Sequence, residues 1–184
     1  MKNLLSTLLV LVLLTGAACA QKPVDLDKSP LDVAYFPNGF AHDRGPGDKA
    51  ILKIAYSRPQ AKGREIFGKL IPYNKVWRTG ANEATEIKIY QDIQLNGKSV
   101  KAGTYSLFTI PGEKEWTFIL SNDLDYWGSY SYDVKNDALR VTGPVKAAAN
   151  THENLTISCS ENGKNKGIIS LSWDKTSAEL PFSY

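Results

Sequence analysis

Apolar and polar residues alternate with a period of two along most of the chain, and that period fixes the class of fold. Ile87 and Ile89 alternate with Glu86, Lys88 and Tyr90; Tyr105, Leu107 and Thr109 alternate with Ser106, Phe108 and Ile110; Trp116, Phe118 and Leu120 alternate with Thr117 and Ile119. Successive side chains of an extended strand point to opposite faces, so each run buries one face and wets the other. Residues 31–36, 49–57, 138–145, 152–160, 167–173 and 178–183 read as further strands. Turn residues separate the runs: Asn96-Gly97, Pro111-Gly112, Asn162-Gly163 and Asp174-Lys175, with "ENGKNK" and "DKTS" dividing the last three. No window of eleven residues carries a helical period, and "VKAAAN" (145–150) predicts one helical turn at most. Roughly nine or ten short strands predict an all-β fold, a single antiparallel β-sandwich or jelly-roll-like domain over residues 49–184.

The flanking segments differ in composition. Residues 21–48 hold Pro23, Pro30, Pro37, Gly39, Gly45, Pro46 and Gly47 and read as an N-terminal arm carrying one edge strand. Residues 1–20 combine Lys2, an apolar run from Leu4 to Leu14 and the small residues of "TGAACAQ", which predicts a signal peptide and export to a periplasmic, extracellular or outer-surface location. Ala18-Cys19-Ala20 fits cleavage before Gln21; lipidation of Cys19 is the alternative. With Cys19 removed, Cys159 is the only thiol, so no internal disulfide is available. Leu155, Ile157 and Cys159 share one strand face, which predicts a buried, inert thiol.

Charge excludes several functions. The net charge is +3, and Lys2 is the one charged residue of the first twenty. Basic and acidic residues are interspersed, so no stripe for nucleic acid is expected. No second apolar segment could span a bilayer, which leaves lipid at Cys19 as the one route to a membrane. His42 and His152 are the only histidines and each has one adjacent carboxylate, so neither a metal site nor a cofactor is expected. Fingerprints of serine hydrolases, P-loop nucleotidases and dinucleotide enzymes are missing.

Two neighbouring segments break the alternation, "YSRPQAKGREIFGKLIPY" (56–73) and "KVWRTGANEAT" (75–85). They gather Arg58, Arg64, Arg78, Glu65, Glu83, Asn82, Ser57, Thr79 and Thr85 beside Tyr56, Tyr73, Phe67 and Trp77. Three of the chain's five arginines lie here. Arginine grips planar anions with paired hydrogen bonds and stacks on aromatic faces, so the cluster suits a polar, anionic or sugar-like ligand. On residue types alone it suits still better a structural network in which Glu83 pairs with Arg58, Arg64 or Arg78 behind Trp77, and Asn82 and Thr85 satisfy a turn at Gly80. A second aromatic group, "DLDYWGSYSYD" (123–133), brings Tyr126, Trp127, Tyr130 and Tyr132, suited either to stacking on a ligand or to covering one end of the fold.

The string "YSRPxxKGRxIFGxLxPYxxxWRTGANEAT", followed by "AGTYSLFTIPG", "EWTFIL", Trp127-Gly128 and Asp137, resembles the secreted family known as domain of unknown function 2911, from about Ala50 to Trp173. Asn74 and Lys75 stand where a turn pair is expected before the tryptophan. The resemblance implies a single β-rich extracytoplasmic domain and brings no activity with it.

The residues predict binding first: a small polar, anionic or carbohydrate ligand contacted by Arg58, Arg64, Trp77, Arg78, Asn82, Glu83, Thr85, Trp127 and Tyr130. The alternative is a glycosidase-like hydrolase using Glu83 with Glu65 or Asp137, since that chemistry needs two carboxylates about 5–10 Å apart. A third reading is a structural or interaction domain with the cluster as a charge network. Oligomeric state is not legible.

Overall fold

The computed structural model describes residues 24–184; the expected signal peptide, the cleavage point at Gln21 and Cys19 lie outside the described residues. Nine strands follow in order: β1 (Leu31–Phe36), β2 (Leu52–Ser57), β3 (Thr85–Ile89), β4 (Ile93–Leu95), β5 (Lys98–Val100), β6 (Gly103–Ile110), β7 (Glu115–Ser121), β8 (Asp137–Glu161) and β9 (Lys166–Ser183). One helical turn, α1 (Phe40–Asp43), follows β1. Every strand pair is antiparallel. The strands form a single sheet in the order β1-β2-β3-β6-β7-β8-β9-β4-β5.

The all-β class and the strand number agree with the alternation. The pairing gives one nine-stranded sheet and does not itself divide the strands into the two layers of a sandwich. The arm carries the edge strand expected of it: β1 pairs with β2 along its whole length and forms the sheet edge. The sheet therefore starts at Leu31, ahead of residue 49.

The segment "VKAAAN" lies inside β8 and makes no helical turn: Val145, Lys146 and Ala147 pair with Ala178, Ser177 and Thr176 of β9. Ladder pairing overrides the local helical preference of alanine. In the same way 138–145 and 152–160 merge into β8, while 167–173 and 178–183 merge into β9. The ladder absorbs "DKTS" through register shifts around the His152–Asp174 pair, with Asp174 at φ 53°. Asn96-Gly97 makes the β4–β5 hairpin with φ positive at both residues, as a tight two-residue turn requires.

Long-range contacts bring the β1–β2 edge of the sheet against the later part of β8 over one core. Up to Pro144 β8 pairs with β7, and from Val145 onward with β9. Its later part meets the chain that leaves β2, where Gln60 bridges Asn154, the Ala61 N–H donates to Glu153 O, and the Leu155 N–H donates to Pro59 O. Between these surfaces lie Phe67, Trp77, Trp116 and Trp173, with Trp77 stacked on Trp173 at 6.1 Å and the others edge-on. Such pairs add about 0.5–1.5 kcal/mol each beyond the area they bury.

Cys159 is buried in this core, and desolvation pushes its thiol up to about 12. A thiol with so little thiolate is inert. At pH 8 a chain beginning at Gln21, whose one thiol is Cys159, is expected when folded to leave Ellman's reagent unreacted and on unfolding in urea to react with one equivalent; prompt reaction of that folded chain would show that the strand is open.

Candidate functional site

The motif "WRTGANEAT" forms a loop stapled at its base. Trp77 and Thr109 exchange both backbone hydrogen bonds, 2.7 and 2.9 Å, which extends the β6 ladder beyond β3. The Thr85 N–H donates to Arg78 O, the Thr85 hydroxyl to Thr79 O at 2.8 Å, and the Trp77 indole N–H to Gly80 O at 3.0 Å. Thr79 is fully buried at φ 60°, a strained setting for a β-branched residue, and its hydroxyl hydrogen-bonds with that of Thr109 at 3.1 Å. Asn82 also has positive φ, which asparagine tolerates in turns. The loop tip then pairs with a second loop: Glu83 bridges Trp127, the Gly128 N–H donates to Asn82 O, and the Ala84 N–H donates to Tyr126 O.

The expected arginine cluster is dispersed. Arg58 pairs with Asp32 at 2.9 Å and donates to Leu155 O and the Thr156 hydroxyl, tying β2 to β8. Tyr56 joins it through Ile157 O, and burial raises its phenol above the ordinary value. Arg64 donates to Ala61 O and Gln60 O in its own loop. Arg78 lies on the face opposite Trp77, beside Gly128, with Nε buried and unpartnered. Among the described residues Glu83 forms no ion pair, so the expected Arg–Glu network does not exist. Alternation is the cause: Trp77 and Thr79 enter the core, while Arg78 leaves on the other face. Trp77 and Thr85 are buried, Tyr130 is 86 % exposed, and Glu65 is exposed. Asp137 is bound to Tyr132 and Arg140.

What the structure does bring together is Asn82, Glu83 and Trp127, at a cleft of about 530 Å³ on the outer face of the sheet. Register builds its floor: Ala55 of β2 pairs with Glu86 of β3, which pairs with Ser106 of β6, and Ser57 lies two residues along from Ala55. These are mostly small side chains, so the floor is low. On the same face of β6, Phe108 is covered by Tyr126 and Tyr132 at 5.7 and 5.2 Å, which anchors the loop that forms one wall. Gly128, at φ +74°, makes the turn after Trp127. A Cβ there would stand 2.6 Å from the Tyr130 ring.

Asp27 and Ser29 from the arm form the opposite wall. The Asn82 amide donates to Asp27 at 3.0 Å, and the Ser29 N–H donates to the same carboxylate. Those bonds, the backbone one first, hold Asp27 below the usual carboxylate range. With Glu83, Glu86 and Asp125, four carboxylates line the cleft, and no Lys or Arg does. Sequence reasoning missed Asp27, Ala55, Glu86, Ser106 and Asp125; the available signal for the floor was the set of small residues Ala55, Ser57 and Ser106 on the strand face opposite the core, while Asp27 and Asp125 lie outside the strands and carried no periodic signal. A second depression, about 410 Å³ beside β4 and β5, contains none of the expected site residues.

No curated protein and no solved structure matches the chain. The family model described as "Protein of unknown function (DUF2911)" matches residues 43–182, the span that holds nearly all of the sheet and most of the cleft, and the chain belongs to that family.

Proposed function

We propose that the protein binds a small polar ligand in the cleft between Trp127 and Asn82-Glu83, with Trp127 as the stacking surface. One observation carries this reading: Trp127, 63 % exposed, is fixed at the mouth of a cleft of small-molecule size by backbone pairing to Glu83 and by Gly128. A large apolar ring left in water on an anchored loop gains its burial from a ligand. Arg58 and Arg64 spend their hydrogen bonds within the fold and Arg78 does not line the cleft, so no arginine is placed there to recognise an anion. The hydrolase reading retains Glu83 alone, since Glu65 and Asp137 do not line the cleft. The structural reading fits Arg58, Arg64 and Trp77, which knit the fold, but gives Trp127 nothing to do.

A thermal-shift screen of glycans and small metabolites tests this, because a ligand that binds only the native state raises Tm. Trp127→Ala is expected to abolish the response while changing stability by less than about 0.5 kcal/mol, as the ring is mostly exposed. A ligand that binds wild type and Trp127→Ala equally would sink the proposal.

A further inference from the structure

Building on that binding role, we propose that the ligand is a small organic cation: a protonated amine on a ring-sized body that presents hydroxyl or amine groups to the sheet. Three independent features of the cleft lead there.

The first is an imbalance in the buried hydroxyls. Seven buried residues are polar: Ser57, Thr79, Thr85, Ser106, Thr109, Ser121 and Ser177. Five have side-chain partners, through the Thr79–Thr109 bond, the Thr85 bond to Thr79 O, the Asp123 N–H donated to Ser121, and the Ser172–Ser177 bond. Ser57 and Ser106, 4 % and 3 % exposed, have no side-chain hydrogen bond among the described residues, and both line the cleft floor. Their oxygens are not sealed in, unlike Trp116 Nε1 and Arg78 Nε, the side-chain polar atoms enclosed without a partner. A hydroxyl that has no protein partner and is not sealed in bonds water in the open cleft and is free to exchange it for a ligand, so two facing one cleft mark where a ligand's polar groups dock.

The second is the sign of the charge. Asp27, Glu83, Glu86 and Asp125 line the cleft with no basic side chain among the lining residues. An anion would meet repulsion from every wall and a cation attraction. Nor does the cation have the size of a metal ion: among the described residues no three His, Cys, Asp or Glu side chains converge closely enough to hold one. Spread carboxylates suit a charge distributed over a larger body. The third is Trp127, whose ring face attracts an ammonium group by cation–π interaction.

Titration calorimetry with glucosamine, glucose and glucose 6-phosphate, which share one ring and differ in charge, reads this directly. Glucosamine is expected to bind about ten-fold tighter than glucose, and glucose 6-phosphate not at all. Raised salt, Glu86→Gln and exposed Glu83→Gln should each weaken glucosamine several-fold, and Ser106→Ala should weaken both sugars alike. Circular dichroism verifies that each variant is folded. Equal affinity for glucose and glucosamine would overturn the cationic inference while leaving the binding role standing. Preference for glucose 6-phosphate would do the same. If neither glucosamine nor 1,4-diaminobutane binds, the inference is overturned, and a neutral or anionic hit from the screen that depends on Trp127 would show that the binding role survives without it.

Discussion

Replacing Trp77 by alanine is expected to cost about 3–5 kcal/mol of unfolding free energy, read as a lower urea midpoint at unchanged m. The ring is 6 % exposed and contacts Phe67, Trp116 and Trp173, so its removal opens a cavity that three rigid aromatic neighbours cannot fill. It also frees Gly80 O at the base of the loop whose tip fixes Trp127. The variant should therefore lose ligand response along with stability. Trp77→Phe separates the two contributions, keeping an aromatic ring but losing the indole N–H, at about 1–2 kcal/mol. Arg78→Ala should cost less than about 1 kcal/mol, because Arg78 is only half-buried, makes no ion pair and leaves its Nε unpartnered. A Trp77→Ala midpoint matching wild type would mean that the aromatic cluster is not the core of the fold.

The contrast between Trp77 and Arg78 shows what the sequence reveals and what it hides. Period-two runs such as Ile87–Ile89 and Phe118–Leu120 identify strands because alternation is a local property of an extended backbone. Asn96-Gly97 identifies a hairpin for the same local reason. Partners at long range are another matter. Arg58 reads as a ligand contact until Asp32 and Leu155, 26 and 97 residues away, take its hydrogen bonds. Asn82, Glu83 and Trp127 stand out by residue chemistry, and they do meet at the cleft. Its floor and opposite wall, from Asp27, Ala55, Glu86 and Ser106, are united only by the β2–β3–β6 register and the Asn82–Asp27 bond. Much of the distinctive string "WRTGANEAT" serves to build the loop: Trp77, Thr79, Gly80 and Thr85 face inward or staple its base, and the tip alone reaches the cleft.

The second large effect is expected at Gly143, the corner where β8 passes from β7 to β9. Gly143 pairs with Trp116 of β7, and two residues later Val145 pairs with Ala178 of β9. A Cβ on Gly143 would stand 2.1 Å from Glu179 O and 2.9 Å from the Phe118 ring. The first obstacle is backbone, which cannot rotate aside as a side chain can. Gly143→Ala must therefore move β9 away from β8 along the ladder that closes the core, at about 3 kcal/mol, the upper part of the range for overpacking. Gly163 provides the control. It has φ +98° with nothing within 4 Å of a built Cβ, so Gly163→Ala meets backbone strain alone, about 1–2 kcal/mol. Gly143 has no positive φ, so its cost comes from contact and not from conformation. Serine at Gly143 should be worse than alanine, whereas at Gly163 the two should be alike, since only the first position is short of space. Urea melts of the four variants test the pair, and a Gly143→Ala protein as stable as wild type would show that β8 and β9 do not approach so closely at this corner.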